Sequence, residues 1–479
     1  MTALSAADPF PRIIQGGMGV GVSGWRLANA VARTGQLGVV SGSLLDTVLV
    51  RRLQDGDPGG HVRRAAAHFP IPGVTDEVLR RWYRAGGRAP GVSYRLLSMY
   101  RQHVSDARQR VTALANFVEV WLARDGHDNP VGINLLTKVQ MPNLASLYGA
   151  MLAGVGYVIM GAGIPREIPG VLDALAEHRP ARLRFDVEGL PRDEEQWLDF
   201  DPAAHWPSSV PAPLARPRFI AVVSATSLAT TLARKSTGRV DGFVVEGPTA
   251  GGHNAPPRGE LRLDERGQPL YGDRDAVDLT KIRELGLPFW LAGGVGSPGG
   301  LRHALDSGAN GVQVGTLFAY AEESGIEPGL RDRVRDAVVR GEATLRTDPR
   351  ASPTGYPFKI VELPGDAERA ARRTRVCDLG YLRVAVRGAD GRTVYRCAAE
   401  PVEDYVAKGG DAADTEGRRC LCNGLSSTIG LAQSRDAAED GSGTEIPLIT
   451  SGDDLLALAG LFAAQPRYTA ADVVELLVS

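Results

Sequence analysis

The chain has 479 residues, and its 54 Lys and Arg nearly balance its 56 Asp and Glu. This balance is unlike the basic footprint of a protein that binds nucleic acid or an anionic membrane, and no apolar stretch approaches the ~18 residues of a membrane-spanning helix. Because a secretory signal pattern is absent and only 4 Cys occur, we expect a cytoplasmic protein without membrane or nucleic-acid partners.

Eight short apolar runs that end in small residues follow one another along the chain. Continuous apolar runs of four to eight residues are typical of strands buried on both faces. The runs occupy residues 12–19, 37–42, 131–136, 157–163, 219–225, 242–247, 289–296 and 311–318. Helix-like sequence lies between them, so eight strand–helix repeats predict an α/β fold, a (β/α)8 TIM barrel. A doubly wound sheet is the alternative.

Two long segments interrupt the regular repeats. Residues 44–130, after the second predicted strand, contain three helical patterns, the last at 94–124, and residues 180–217 form an irregular excursion. Loops on the carboxyl side of barrel strands border the active-site mouth, so we expect the helical insertion to cover or flank it. The sequence predicts a barrel domain at 1–364 and a C-terminal extension at 365–479.

The sixth predicted strand ends in the segment Glu-Gly-Pro-Thr-Ala-Gly-Gly-His-Asn, which places His253 at the strand's carboxyl end. Catalytic groups of barrels sit at that end, and an imidazole with a pKa near 6.5 can exchange a proton at working pH. His253 is therefore the candidate catalytic residue. Glu246 either orients a ring or ligand or is an ordinary charge at a strand end. We interpret the other seven His as structural.

Two Gly-rich segments follow the seventh and eighth predicted strands. Residues 291–300 run into a helix whose start offers free N–H groups, which suit a phosphate. Residues 314–317 add Gly315 and the hydroxyl of Thr316. Barrels often build a phosphate site from these two loops; the alternative is that the glycines only form tight turns. Residues 17–21 lack GxGxxG spacing, which favours a mononucleotide over a dinucleotide.

All four cysteines, Cys377, Cys397, Cys420 and Cys422, fall in a short part of the C-terminal extension. Four thiolates suit Zn²⁺ or an iron–sulfur cluster, and the spacing does not separate the two. However, the pair of CxxC motifs usual in such sites is missing, since the only close pair is CxC. The alternative is that these side chains are buried as small hydrophobic groups.

Five motifs in order resemble the nitronate monooxygenase (2-nitropropane dioxygenase-like) family. They are PRIIQGGMG at 11–19, GINLL at 132–136, EGPTAGGHN at 246–254, LAGGVG at 291–296 and GVQVGTLF at 311–318. That family comprises FMN-dependent TIM barrels and includes flavin-dependent enoyl-ACP reductases. The resemblance covers about residues 11–364 without the two interruptions.

The resemblance implies a role for individual residues. The backbone of Gly17 and Met18 would lie against the flavin ring, and Asn134 would sit near it. His253 would be the catalytic base. The residues implied for holding the cofactor, mainly at its phosphate, are Gly252, Gly293, Gly294, Gly315 and Thr316.

For function, the resemblance implies an oxidoreductase that oxidises alkyl nitronates or similar stabilised carbanions with O2 as the second small-molecule substrate. The first alternative keeps FMN but uses NAD(P)H to reduce an enoyl thioester on an acyl carrier protein, in fatty acid or polyketide synthesis. The second is a flavin-free barrel that binds a phosphorylated ligand or a partner. Homo-oligomer formation stays open.

Overall fold

The fold was analysed in a computed structural model that describes residues 10–435 and 443–479. Residues 1–9 and 436–442, which the two predicted domains include, lie outside this range. The strands, numbered in chain order, are β1 (Ile13–Gln15), β2 (Gly38–Ser41), β3 (Val131–Leu136), β4 (Tyr157–Gly161), β5 (Ala181–Phe185), β6 (Val187–Glu188), β7 (Gln196–Phe200), β8 (Arg218–Val223), β9 (Gly242–Glu246), β10 (Phe289–Ala292), β11 (Gly311–Val314), β12 (Thr344–Asp348), β13 (Phe358–Glu362), β14 (Val384–Arg387) and β15 (Thr393–Arg396).

Eight of these strands form a closed parallel barrel, in the order β1-β11-β10-β9-β8-β4-β3-β2. Ile14 pairs with Leu37 across the remaining gap, where the Gln15 N–H donates to the Leu37 carbonyl at 2.9 Å. Each of the eight predicted strands supplies one barrel strand, so the TIM-barrel prediction is confirmed.

The barrel is filled by side chains that alternate along its strands. Inward-facing residues form one buried cluster, which includes Ile14, Ile159, Ile220, Val244 and Trp290. The neighbouring positions on the same strands belong to a second, larger cluster beneath the helices. This two-sided burial is why the strands read as continuous apolar runs rather than alternating ones.

The helices surround the barrel or lie in its interruptions. They are α1 (Trp25–Arg33), α2 (Leu45–Gln54), α3 (His61–Ala66), α4 (Val74–Trp82), α5 (Asp106–Ala123), α6 (Asn143–Leu152), α7 (Ile168–Ala176), α8 (Thr226–Lys235), α9 (Leu279–Arg283), α10 (Gly300–Asp306), α11 (Thr316–Ala319), α12 (Pro328–Val339), α13 (Asp366–Arg372), α14 (Val402–Ala407), α15 (Leu421–Thr428), α16 (Ala459–Ala464) and α17 (Ala470–Val478). Within the described ranges, no helix is both long and apolar enough to cross a membrane.

The helical insertion differs in one respect from the sequence prediction. The last predicted helix, at 94–124, corresponds to α5, which is shorter because it begins at Asp106. The Ser105 hydroxyl caps this helix by accepting from the Arg108 N–H. Helix α5 packs against α1 and α6, which is the position of an ordinary barrel helix between β2 and β3. The additional elements are therefore α2, α3 and α4.

The irregular excursion and the C-terminal extension contain small sheets. Strands β5 and β7 form an antiparallel pair, while β6 joins β14 and β15, so the excursion and the extension share one sheet. In the extension, Leu455 and Phe462 are buried with the barrel's outer core. The extension therefore packs on the barrel.

Candidate functional site

A cavity of about 1530 Å³, its open mouth included, lies at the carboxyl ends of the barrel strands. All the site residues that the sequence and the family resemblance single out within the barrel line this cavity. They are Gly17, Met18, Asn134, Gly252, His253, Gly293, Gly294, Gly315 and Thr316. The fold thus brings together residues from both ends of the barrel sequence.

Several glycines of the cavity disfavour a side chain, either by their backbone conformation or by lack of space. Gly293 and Gly294 have φ of +88° and +69°, a region that L-residues rarely adopt. A Cβ atom on Gly293 would lie 2.8 Å from Thr249 Oγ1, and one on Gly17 would lie 2.3 Å from the Asn134 Cβ atom. These positions leave bare backbone facing the cavity, as close approach of a ligand requires.

Among the buried side-chain oxygens of the cavity wall that have no donor in the described part of the chain, two belong to amide groups. They are Oδ1 of Asn134 and Oε1 of Gln313. The Asn134 amide is held in place because its Nδ2 donates to the Gly17 carbonyl at 3.0 Å. Buried polar atoms are normally satisfied, so these acceptors favour a bound ligand that carries N–H or O–H donors.

His253 is held at the cavity wall by the segment after β12. Its Nε2 lies 2.7 Å from the Ser352 hydroxyl, and its ring packs edge-on against Phe358 with centroids 4.8 Å apart. Burial, with a smaller contribution from the positive charge of Lys138, lowers the pKa of His253 to about 4. The imidazole is therefore neutral near pH 7 and can accept a proton.

Glu246 also faces the cavity, at the end of β9. Burial raises its pKa to about 7, although the neighbouring Lys359 ammonium opposes this shift. Lys359 is itself engaged, because its Nζ donates to the Pro248 carbonyl at 2.9 Å and pairs with Asp453. Glu246 therefore changes charge close to neutral pH, in the same cavity as the candidate base.

Several residues of the cavity could not be recognised from the sequence. Ser352 is separated from His253 by almost a hundred positions, and Tyr381 and Cys422 reach the cavity from the C-terminal extension. Leu44, at the start of the helical insertion, also lines the cavity. This contact agrees with the expectation that the insertion flanks the mouth. Ser352, Tyr381 and Leu44 stand in no motif, and the sequence singles out Cys422 only as a candidate metal ligand, because the proximity of these residues depends on tertiary packing alone.

The four cysteines line one small cavity, but the structure does not support the metal site predicted there. Among the described residues, no group of three or more His, Cys, Asp or Glu is arranged to hold a metal ion. Burial raises the pKa of the Cys420 and Cys422 thiols, which favours the neutral form over the thiolate that metals bind. All four are free thiols, and the packing alternative accounts for the buried Cys397 and Cys422. Cys377 differs, because a hydrogen bond with Cys397 lowers the pKa of its thiol.

Comparison with known proteins confirms the resemblance to the nitronate monooxygenase family. The nitronate monooxygenase family model matches residues 205–344. The chain is 30% identical to a nitronate monooxygenase of Pseudomonas aeruginosa over 194 residues, which is 40% of this chain and 49% of that protein. It is 30% identical over 190 residues to one of Paraburkholderia phytofirmans, covering 39% and 43% of the two chains.

The chain thus spans about half the length of the curated relatives it matches. Among solved structures, nitroalkane oxidase from Streptomyces ansochromogenes aligns with 98% of this chain and 94% of its own, at 15% identity and a TM-score of 0.45.

Proposed function

We propose that this chain is an FMN-dependent oxidoreductase that oxidises alkyl nitronates or similar stabilised carbanions with O2. The observation that carries the proposal is a half-buried His253, neutral near pH 7, in the wall of a cavity lined by bare glycine backbone. The family match supports it, because residues 205–344 include this histidine and both Gly-rich loops.

The residues present fit a flavin mononucleotide. Gly293, Gly294, Gly315 and Thr316 would hold the phosphate through backbone N–H groups and a hydroxyl. Gly17 and Met18 would lie along the ring, and the free acceptors on Asn134 and Gln313 suit donors of the cofactor. When bound, FMN would accept electrons from the substrate carbanion and pass them to O2.

In this proposal His253 removes the proton that makes a neutral nitroalkane into a carbanion. The tautomer that this role requires has Nε2–H donating to the Ser352 hydroxyl, 2.7 Å away, and the lone pair for proton transfer on Nδ1. Burial keeps the ring unprotonated near pH 7, and the adjacent Phe358 ring holds its orientation. A preformed nitronate already lacks this proton and does not need the base.

The test of the proposal is the visible spectrum of the full chain during anaerobic addition of NADPH. We expect a flavin band that NADPH leaves unchanged. The same protein should oxidise nitronate once O2 is admitted. Rapid bleaching by NADPH would instead favour the enoyl-thioester reductase with its acyl carrier partner. A folded, colourless chain that FMN cannot reconstitute would contradict both flavoenzyme functions.

Glu246 should give the reaction a pH dependence near neutrality. Above about pH 7 its carboxyl group is ionised, and this negative charge repels an anionic nitronate. We therefore expect kcat/KM for freshly added nitronate to fall by roughly tenfold as pH rises through this value. In Glu246→Gln the fall should disappear, and initial-rate measurements from acidic to alkaline pH would show this.

The exposed Glu260, on the loop that follows β9, provides a matched control. Glu260→Gln should retain the wild-type pH profile. The same fall in both variants as in the wild type would show that another group is responsible.

A further inference from the structure

A segment of the C-terminal extension, residues 450–454, lies directly on the two Gly-rich loops of the cavity. The Gly452 N–H donates to Thr316 Oγ1 at 3.0 Å, and the Asp453 N–H donates to the Thr249 carbonyl at 2.9 Å. The segment is thus fixed to the ends of the sixth and eighth barrel strands, where the cofactor phosphate would bind.

This segment places the Asp454 carboxyl group inside the phosphate cradle. A Cβ atom on Gly296 would lie 2.8 Å from Asp454 Oδ2, and one on Gly452 would lie 2.7 Å from Oδ1. Asp454 Oδ1 is buried and lacks a hydrogen-bond partner among the described residues. The carboxyl group therefore occupies space between the glycine loop and the Thr316 hydroxyl that an anionic ligand would also use.

The groups around Asp454 do not neutralise it directly. Asp453 adds a further negative charge, and the nearby Lys359 ammonium is paired with Asp453. The other titratable groups facing the carboxyl are the buried phenols of Tyr320 and Tyr468. Burial raises the pKa of Asp454, whereas a hydrogen bond with Thr316 opposes this shift; the smaller effects of the Asp453 and Lys359 charges raise and lower the pKa, respectively.

We propose that Asp454 limits the affinity of this subsite for phosphate, because its carboxylate competes with the bound anion for the cradle. Phosphate then binds when the carboxyl group turns away or takes up a proton. This inference rests on the proposed function, since FMN is the phosphate-bearing ligand. Asp454 should not affect the binding of riboflavin, which has the same ring and side chain as FMN but no phosphate.

The experiment compares both flavins on the flavin-free full chain and on Asp454→Asn, with fluorescence quenching as the readout. At about pH 8 the variant should bind FMN roughly tenfold more tightly than the wild type. Riboflavin affinity should agree within about twofold, which also shows that the variant is folded. The ratio of the wild-type FMN Kd to the variant FMN Kd should shrink as the pH falls, because Asp454 then takes up a proton and loses its charge. Titration of the phosphate itself affects both proteins equally and leaves this ratio unchanged.

Asp306→Asn is the matched control, because Asp306 is exposed at the far end of α10, the helix that follows the glycine loop. It should leave both affinities unchanged. An unchanged FMN affinity in Asp454→Asn would overturn the inference while leaving FMN binding intact. Weaker binding of both flavins would overturn it by showing that Asp454 binds the shared part of the ligand. Failure of every protein to bind either flavin would overturn the proposed function as well.

Discussion

Replacement of His253 by Ala is expected to lower kcat/KM for a neutral nitroalkane by roughly 10²–10⁴-fold, the usual contribution of a positioned general base. Turnover of the corresponding preformed nitronate should stay within about tenfold of the wild type, because that substrate has already lost its proton. Steady-state oxygen consumption with the two substrate forms measures both effects. The flavin content of the purified variant should equal that of the wild type.

The exposed His303 on α10 supplies the control, and His303→Ala should behave as the wild type with both substrates. An equal loss with nitroalkane and nitronate would refute the role of His253 as a base and indicate a role in binding. The low pKa of about 4 adds a second expectation. Activity on the neutral nitroalkane should persist at about pH 5, well below the ordinary pKa of a histidine.

The barrel could be predicted from sequence because its signals are local. Each strand is buried on both faces and reads as an apolar run, and helical sequence separates one run from the next. The Gly-rich ends of the seventh and eighth strands, including Gly293 and Gly315, mark where backbone must face a ligand. His253 stands out for the same reason, since two glycines place it at the end of a strand.

The rest of the site could not be predicted because it forms between distant segments. Ser352 meets His253 through a hydrogen bond, and Asp454 reaches the phosphate cradle from the C-terminal extension. The cysteine pattern indicated proximity, and the four side chains do line one cavity. The pattern could not show that the thiols of Cys420 and Cys422 favour the protonated form, because this depends on the burial that raises their pKa.

A buried ion pair joins the helical insertion to the wall of the cavity. Asp46 on α2 accepts from Arg108 on α5 at 2.7 Å, with side-chain exposures of 0% and 4%. The Tyr381 hydroxyl donates to the same carboxylate, and the Tyr381 ring lines the cavity. Thr112 donates a further hydrogen bond to it at 3.0 Å. One carboxylate on α2 thus fixes two side chains of α5 and one of the C-terminal extension.

Asp46→Ala is expected to lower the free energy of unfolding by about 3–5 kcal/mol, because it leaves the Arg108 guanidinium buried without its partner. Urea denaturation measures the loss. Asp199→Ala is the control, since the Arg182–Asp199 pair is 59% and 63% exposed and should contribute less than about 1 kcal/mol. A similarly small loss in Asp46→Ala would mean that water reaches Arg108. The expected large loss would mean that the insertion and the extension hold the cavity wall through this carboxylate.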